Sequence, residues 1–244
     1  MSTTSASAVN PDTAGQGIRR VLVWDAPIRV FHWLMVLSFT GAYLTAESER
    51  WRVVHVTLGY TMAGLVVFRL LWGLFGSRHA RFANFVRGPR QVEAYLRGLL
   101  RGTPEHYAGH NPAGALAIMA LLGLALVVTA SGWMTYNDVA GHWVEDIHEA
   151  AANFMLGIVG IHITGVMIAS WLHRENQVGA MVTGRKPGRP DDGIRRAWRS
   201  VAVLMLVTVL TFWWLQWNGV QPGAGFSFSE HRAASARGSD RDND

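Results

Sequence analysis

The chain has 244 residues, of which 50% are hydrophobic and only 16% charged, with 11 Trp, no Cys and a formal net charge of +5. So few charges exclude an ordinary soluble domain, and zero cysteines exclude disulfides, thiolate metal sites, thiol nucleophiles, c-type haem attachment and cysteine-ligated iron–sulfur clusters. Nucleic-acid binding is set aside because the arginines are scattered over several loops with no folded polar domain to carry them.

Residues 1–18 are Ser, Thr, Ala, Gly and Pro with almost no large apolar group, and are expected to form a disordered tail. Arg19-Arg20 precedes a long apolar run without a small-residue cleavage site, so a retained anchor rather than a processed signal is expected. Five segments reach spanning length: 28–46, 53–75, 112–134, 146–171 and 199–217. Each must be helical, because lipid offers no partner to a free amide. The third opens with Asn111-Pro112, a capping residue followed by a proline suited to the first turn. Between the second and third, residues 89–100 place apolar side chains at helical spacing beside arginines, as in a helix lying on the membrane surface. Residues 188–218 read as a linker and the fifth span, and 219–244 as a polar, disordered tail.

Basic residues choose the orientation. Arg19, Arg20 and Arg29, then Arg78, Arg81, Arg87, Arg90, Arg97 and Arg101, then Arg174, Arg185, Lys186, Arg189, Arg195, Arg196 and Arg199 fall on one side. The other side has only Arg50, Arg52, Arg232, Arg237 and Arg241. The N-terminus is therefore expected in the cytoplasm and the C-terminus in the periplasm.

Four of the ten histidines, His32, His55, His148 and His162, lie inside spanning segments. An ionisable side chain inside a bilayer is costly and marks function by default; the structural alternative is a hydrogen bond to a neighbouring helix. His148 and His162 are separated by a rotation of about 1400°, about 40° short of four full turns, and by a rise of about 21 Å, so they share a helix face at two depths. Antiparallel helices then put His55 with His148 at an outer level and His32 with His162 at an inner one. Two facing imidazoles without thiolate or carboxylate suit the axial positions of a haem b, one per level. Glycines 41, 59, 64, 157, 160 and 165 leave room for a porphyrin face or for close helix packing. His173, on the same face as His162 but at the headgroup boundary, is the rival inner ligand. His110 beside Asn111 suits a quinone pocket instead.

The strings VWDAPIRVFHW (23–33), HVTLGY (55–60), FRLLWGLFGSRHARF (68–82), GHNPAGA (109–115), His148-Glu149 with His162, and HRENQVGAMVTGRKP (173–187) together resemble the bacterial cytochrome b561 and nickel–iron hydrogenase cytochrome b family. The resemblance runs over roughly residues 21–187, taking 19–187 as the cytochrome domain. It implies an all-α membrane protein, a four-helix haem-binding transmembrane bundle, with a fifth C-terminal helix beyond the family pattern. It also implies a place in the bacterial inner membrane and electron transfer between the quinone pool and an outer redox partner, a hydrogenase, dehydrogenase or cytochrome c. Where this family holds two haems, one ligand comes from the first helix, one from the second and two from the fourth, the positions of His32, His55, His148 and His162. Arg52 is placed to meet an outer haem propionate and Arg29 or Arg69 an inner one; arginines near helix ends also snorkel to headgroups. An inner quinone site near His110 and Asn111 agrees with the family. The alternatives are a superoxide oxidase of the same family that reduces ubiquinone, and a haem-free membrane anchor or transporter subunit.

Overall fold

A computed structural model describes residues 19–85, 88–101, 109 and 111–219. The expectations for the N-terminal tail, for the tail beyond Gly219 and for His110 lie outside the described residues. In chain order the elements are β1 (Arg19–Leu22), α1 (Ala26–Thr45), α2 (Arg52–Phe75), α3 (Phe82–Phe85), α4 (Pro89–Leu100), α5 (Pro112–Tyr136), α6 (Trp143–Leu172), α7 (Gln177–Thr183), β2 (Arg185–Gly188) and α8 (Arg199–Trp217).

Local chemistry sets most of the helix ends. Asp25 caps α1, its Oδ1 accepting the Ile28 N–H at 2.8 Å, and Pro27 occupies the first turn. Asn111 caps α5 in the same way through the Gly114 N–H at 2.6 Å. Asn176 caps α7 through the Gly179 N–H at 2.6 Å, and α7 stops at Gly184, whose φ of 79° is left-handed. There a Cβ would lie 2.6 Å from the Trp24 carbonyl oxygen, so glycine is needed for space as well as for conformation.

Among the described residues, four helices are long and apolar enough to cross a membrane: the stretch 49–75 that contains α2, then α5, α6 and α8. The first expected span is a 20-residue helix but is not among them. Arg29 and His32, both on α1, lower its hydropathy.

α1 packs on α2, α2 on α5 and α5 on α6. Phe39, Met62, Val66, Leu122, Ala125, Val128 and Met155 form the shared core, one or more from each of the four helices. Tyr43 on α1 donates to Asn153 Oδ1 on α6 at 2.8 Å.

The connection after α6 is built rather than slack. β2 pairs antiparallel with β1, Arg19 opposite Gly188 and Leu22 opposite Arg185. Val21 and Lys186 face each other on the inner side of this ribbon, Lys186 being buried and Val21 packing against Val23, Trp24 and Ala180. The chain divides into two units within α8, one up to Met205 with all the other elements and one from Leu206. In the second, the Asn218 side chain donates to the Trp214 carbonyl at 2.7 Å.

Candidate functional site

His55 and His148 come together from α2 and α6. Their ring centroids are 6.2 Å apart and the rings are inclined by 78°. Each ring is fixed by its Nδ1–H: His55 donates to the Ala42 carbonyl at 2.8 Å and His148 to the Val128 carbonyl at 2.9 Å. A carbonyl only accepts, so both Nδ1 atoms carry the proton and both Nε2 atoms keep a lone pair. That is the tautomer a metal ligand needs, held by the kind of outer hydrogen bond that orients ligating histidines. Two metal–nitrogen bonds of about 2 Å each to one ion, with the distance from each ring centre to its own nitrogen, span a gap of this size.

Gly132 on α5 makes room for this arrangement. A Cβ there would lie 2.8 Å from His148 Cε1 and 3.0 Å from Nδ1. Next to it Ser131 brings its hydroxyl to 3.3 Å from the same Nδ1 while donating to the Val127 carbonyl at 2.8 Å. Sequence reasoning missed both residues. The available signal was a Ser-Gly pair late in an otherwise apolar helix that contributes no histidine.

The level of His32 and His162 is less occupied by protein. The Nδ1 of His32 is buried without a hydrogen-bond partner among the described residues, and His162 lies within electrostatic range of it. On α6 only Val144 and Met155 are buried, and an added Cβ at Gly157 or Gly160 meets nothing within 4 Å. The same is true of Gly59 and Gly64 on α2. Open space thus lies along the two helices that carry three of the four histidines. Among the described residues no three His, Asp or Glu side chains are grouped so as to hold a metal ion. An orphaned imidazole nitrogen, pre-set tautomers and open glycine faces all fit a flat group held by axial histidines.

The other candidates have definite places. Arg52 is exposed and only 3.9 Å from Glu49 Oε2, a weak pair that leaves its guanidinium available. Arg29 donates through Nη1 to the Val182 carbonyl at 2.7 Å. Arg69 is committed elsewhere, buried with Nη1 on the Ala80 carbonyl at 3.0 Å and its guanidinium 4.7 Å from the Phe82 ring. Asn111 is engaged in its cap, and His173 ends α6, its N–H donating to the Ala169 carbonyl at 3.0 Å.

A polar layer forms where α1 begins. Asp25 Oδ2 accepts from Trp72 Nε1 at 3.0 Å, and Lys186 Nζ is 3.4 Å from Glu175 Oε2 with both side chains almost fully enclosed. His79 Nε2 donates to the Asp192 carbonyl at 2.8 Å.

Comparison with known proteins agrees with this geometry. A family model described as prokaryotic cytochrome b561 matches residues 23–184, which include all four membrane histidines. The chain is 27% identical over 221 aligned positions to the probable Ni/Fe-hydrogenase B-type cytochrome subunit of Azotobacter vinelandii, covering 70% of this chain and 91% of the relative. To the protein of the same description from Cupriavidus necator it is 24% identical, covering 70% and 88%. To the probable Ni/Fe-hydrogenase 1 B-type cytochrome subunit of Escherichia coli K12 it is 23% identical over 143 positions, covering 48% and 60%. No solved structure matches the chain.

Proposed function

The chain belongs to the prokaryotic cytochrome b561 family and is a membrane b-type cytochrome of electron transfer; on that premise we propose that it holds two haems b and passes single electrons between quinone and a redox protein. His55 and His148 hold the outer haem, and His32 and His162 the inner one. The observation that carries this reading is the His55–His148 pair, 6.2 Å between ring centres with both Nδ1 protons on backbone carbonyls.

Haem b supplies, when bound, an iron that takes up and returns one electron at a time. The chain's own residues do the rest. The Ala42 and Val128 carbonyls stop the two imidazoles from rotating and keep their Nε2 lone pairs directed at the ligand position. The core from Phe39 to Met155 keeps water from the space between the levels. Arg52 at the outer level offers guanidinium donors to a propionate.

The quinone site is proposed at the inner face beside His110 and Asn111. The relatives are named as subunits of Ni/Fe hydrogenases, and a hydrogenase is accordingly the proposed partner, at the outer face. The N-terminus is cytoplasmic and the C-terminus periplasmic in this reading, in the inner membrane, with the basic loops inside.

A pyridine haemochrome assay tests the reading. The wild type should approach two haems per chain, and His148→Ala or His162→Ala should approach one. One haem in well-folded wild type rules out the dihaem arrangement, and two haems retained in His162→Ala transfer the inner ligand to His173. Reporter fusions in the 78–110 and 173–199 connections should read cytoplasmic, and a cytoplasmic signal at residue 244 removes α8 as a span.

A further inference from the structure

A cavity of about 430 Å³ opens where β1, β2, the end of α7 and the starts of α1 and α8 meet, lined by Arg20, Arg29, Arg185, Arg199, Thr183 and Ala197 among others. Four of its lining residues are arginines and none is a carboxylate. The sheet register explains the grouping. Arg20 and Leu22 are two apart on β1 and so share one face, and Arg185 stands directly opposite Leu22 on the same face. The reverse face carries Val21 and the buried Lys186.

The fold spends its available carboxylates elsewhere. Glu175 is used on Lys186, and Asp25 on the α1 cap and Trp72. None of the four arginines is ion-paired with a carboxylate among the described residues. Arg29 spends two of its donors on the carbonyls of Val182 and Asp25. Four like charges around one cavity repel one another unless an anion joins them.

The position says which anion. The Ala26 N–H donates to the Ala197 carbonyl at 2.8 Å, so α1 and α8 start side by side at the cavity rim. α8 is long and apolar enough to span, and Arg199 is its first residue. The cavity therefore sits where hydrocarbon gives way to headgroups. Basic pockets at this depth recognise phosphate headgroups, and guanidinium forks match phosphate oxygens in pairs.

We infer that the juxtaposition of Arg20, Arg29, Arg185 and Arg199 at the foot of α1 and α8 is a binding site for the phosphodiester of an anionic phospholipid. The inference rests on the membrane reading of the chain but not on the number of haems or the identity of the redox partner. The acyl chains would run beside α1 and α8, and the headgroup phosphate would occupy the cavity.

The test compares the haem-loaded wild type with the triple variant Arg20→Gln, Arg185→Gln, Arg199→Gln, both purified in neutral detergent. Native mass spectrometry during titration with phosphatidylglycerol, phosphatidylcholine or inorganic phosphate gives the occupancy. Each arginine beside an anionic headgroup is worth about fivefold in affinity, so phosphatidylglycerol should bind the wild type at least about tenfold more tightly than the variant. Phosphatidylcholine should not tell the two proteins apart. Equal retention of phosphatidylglycerol by wild type and variant overturns the site. Displacement of bound lipid by inorganic phosphate at matching concentration makes it a free-anion site and overturns the lipid assignment. Loss of haem from a variant that keeps its helical circular dichroism assigns the cavity to a propionate and overturns it too.

Discussion

The β1–β2 ribbon with its buried polar layer, a clasp tying the start of α1 to the chain beyond α6, and the histidine-bearing interior treat polar groups in opposite ways. In the clasp, Asp25 serves both the α1 cap and Trp72, Lys186 meets Glu175, and His79 is tied to Asp192. Each of these groups has a partner supplied by the chain. In the interior, His32 Nδ1 has none, α6 buries only two residues, and its glycines face open space. The buried side of the clasp is satisfied by its own sequence, whereas the interior leaves an imidazole nitrogen and two glycine faces open. Stability and function are thus separable in this molecule, and substitutions should sort by region.

The largest effect is expected in the interior. His55→Ala or His148→Ala should halve the haem content and stop transfer across the membrane. The helical circular dichroism should survive, because neither imidazole-bearing position belongs to the apolar core cluster. Loss of both haems with the fold intact would mean that the two levels are not independent.

Next comes the clasp. Lys186→Met removes the cation beside the nearly enclosed Glu175, leaving Gln177 Nε2 on its Oε2, and breaking one partner of a buried pair costs about 3–5 kcal/mol. A thermal melt should show a clear loss, while the folded fraction keeps its full haem content. If haem is lost in step with Lys186, the two regions are one cooperative structure and the comparison fails.

Gly132→Ala sharpens the contrast, because its two effects have opposite signs. Alanine favours the helix by about 1 kcal/mol, yet its methyl would stand 2.8 Å from the His148 ring. The melting temperature should hold or rise, while the outer haem shows weaker retention or a shifted reduction potential. An unchanged spectrum and potential would mean that His148 moves aside freely.

The smallest effect separates the two roles of Asn111. Asn111→Ser keeps a capping oxygen and should change stability by less than about 0.5 kcal/mol, whereas Asn111→Leu loses the cap at about 1 kcal/mol. If Asn111 touches quinone, both variants should slow reduction by a quinol analogue. Slowing in the leucine variant alone would trace the defect to the frayed start of α5.

What the sequence made legible follows the same division. The start of α4 at Pro89 and that of α8 at Arg199 were read directly, and so was the Asn111 cap, because caps, prolines and apolar runs are local signals. The His55–His148 pair was legible because helical periodicity and antiparallel packing fix depth. The clasp was not. RRVL and RKPG are four residues each, lack apolar alternation, and pair only because the intervening helices return the chain to its starting point. Residues 188–198 accordingly read as a linker, although the 194 amide donates to the Leu22 carbonyl at 2.8 Å. Gly132 escaped for a related reason, since the need for a missing Cβ exists only when another helix brings an imidazole against it.

The two-stranded ribbon also counts membrane crossings. Leu22 and Arg185 stand directly opposite each other on the paired strands, so the chain must leave and re-enter the same aqueous compartment between them. The number of passages over that interval is therefore even. α2, α5 and α6 qualify on length and apolarity, which makes three. Parity then requires one more, and α1 is the remaining helix long enough to make it. A strand pair of four residues thus assigns a transmembrane passage to a helix whose arginine and histidine had hidden it from a hydropathy criterion.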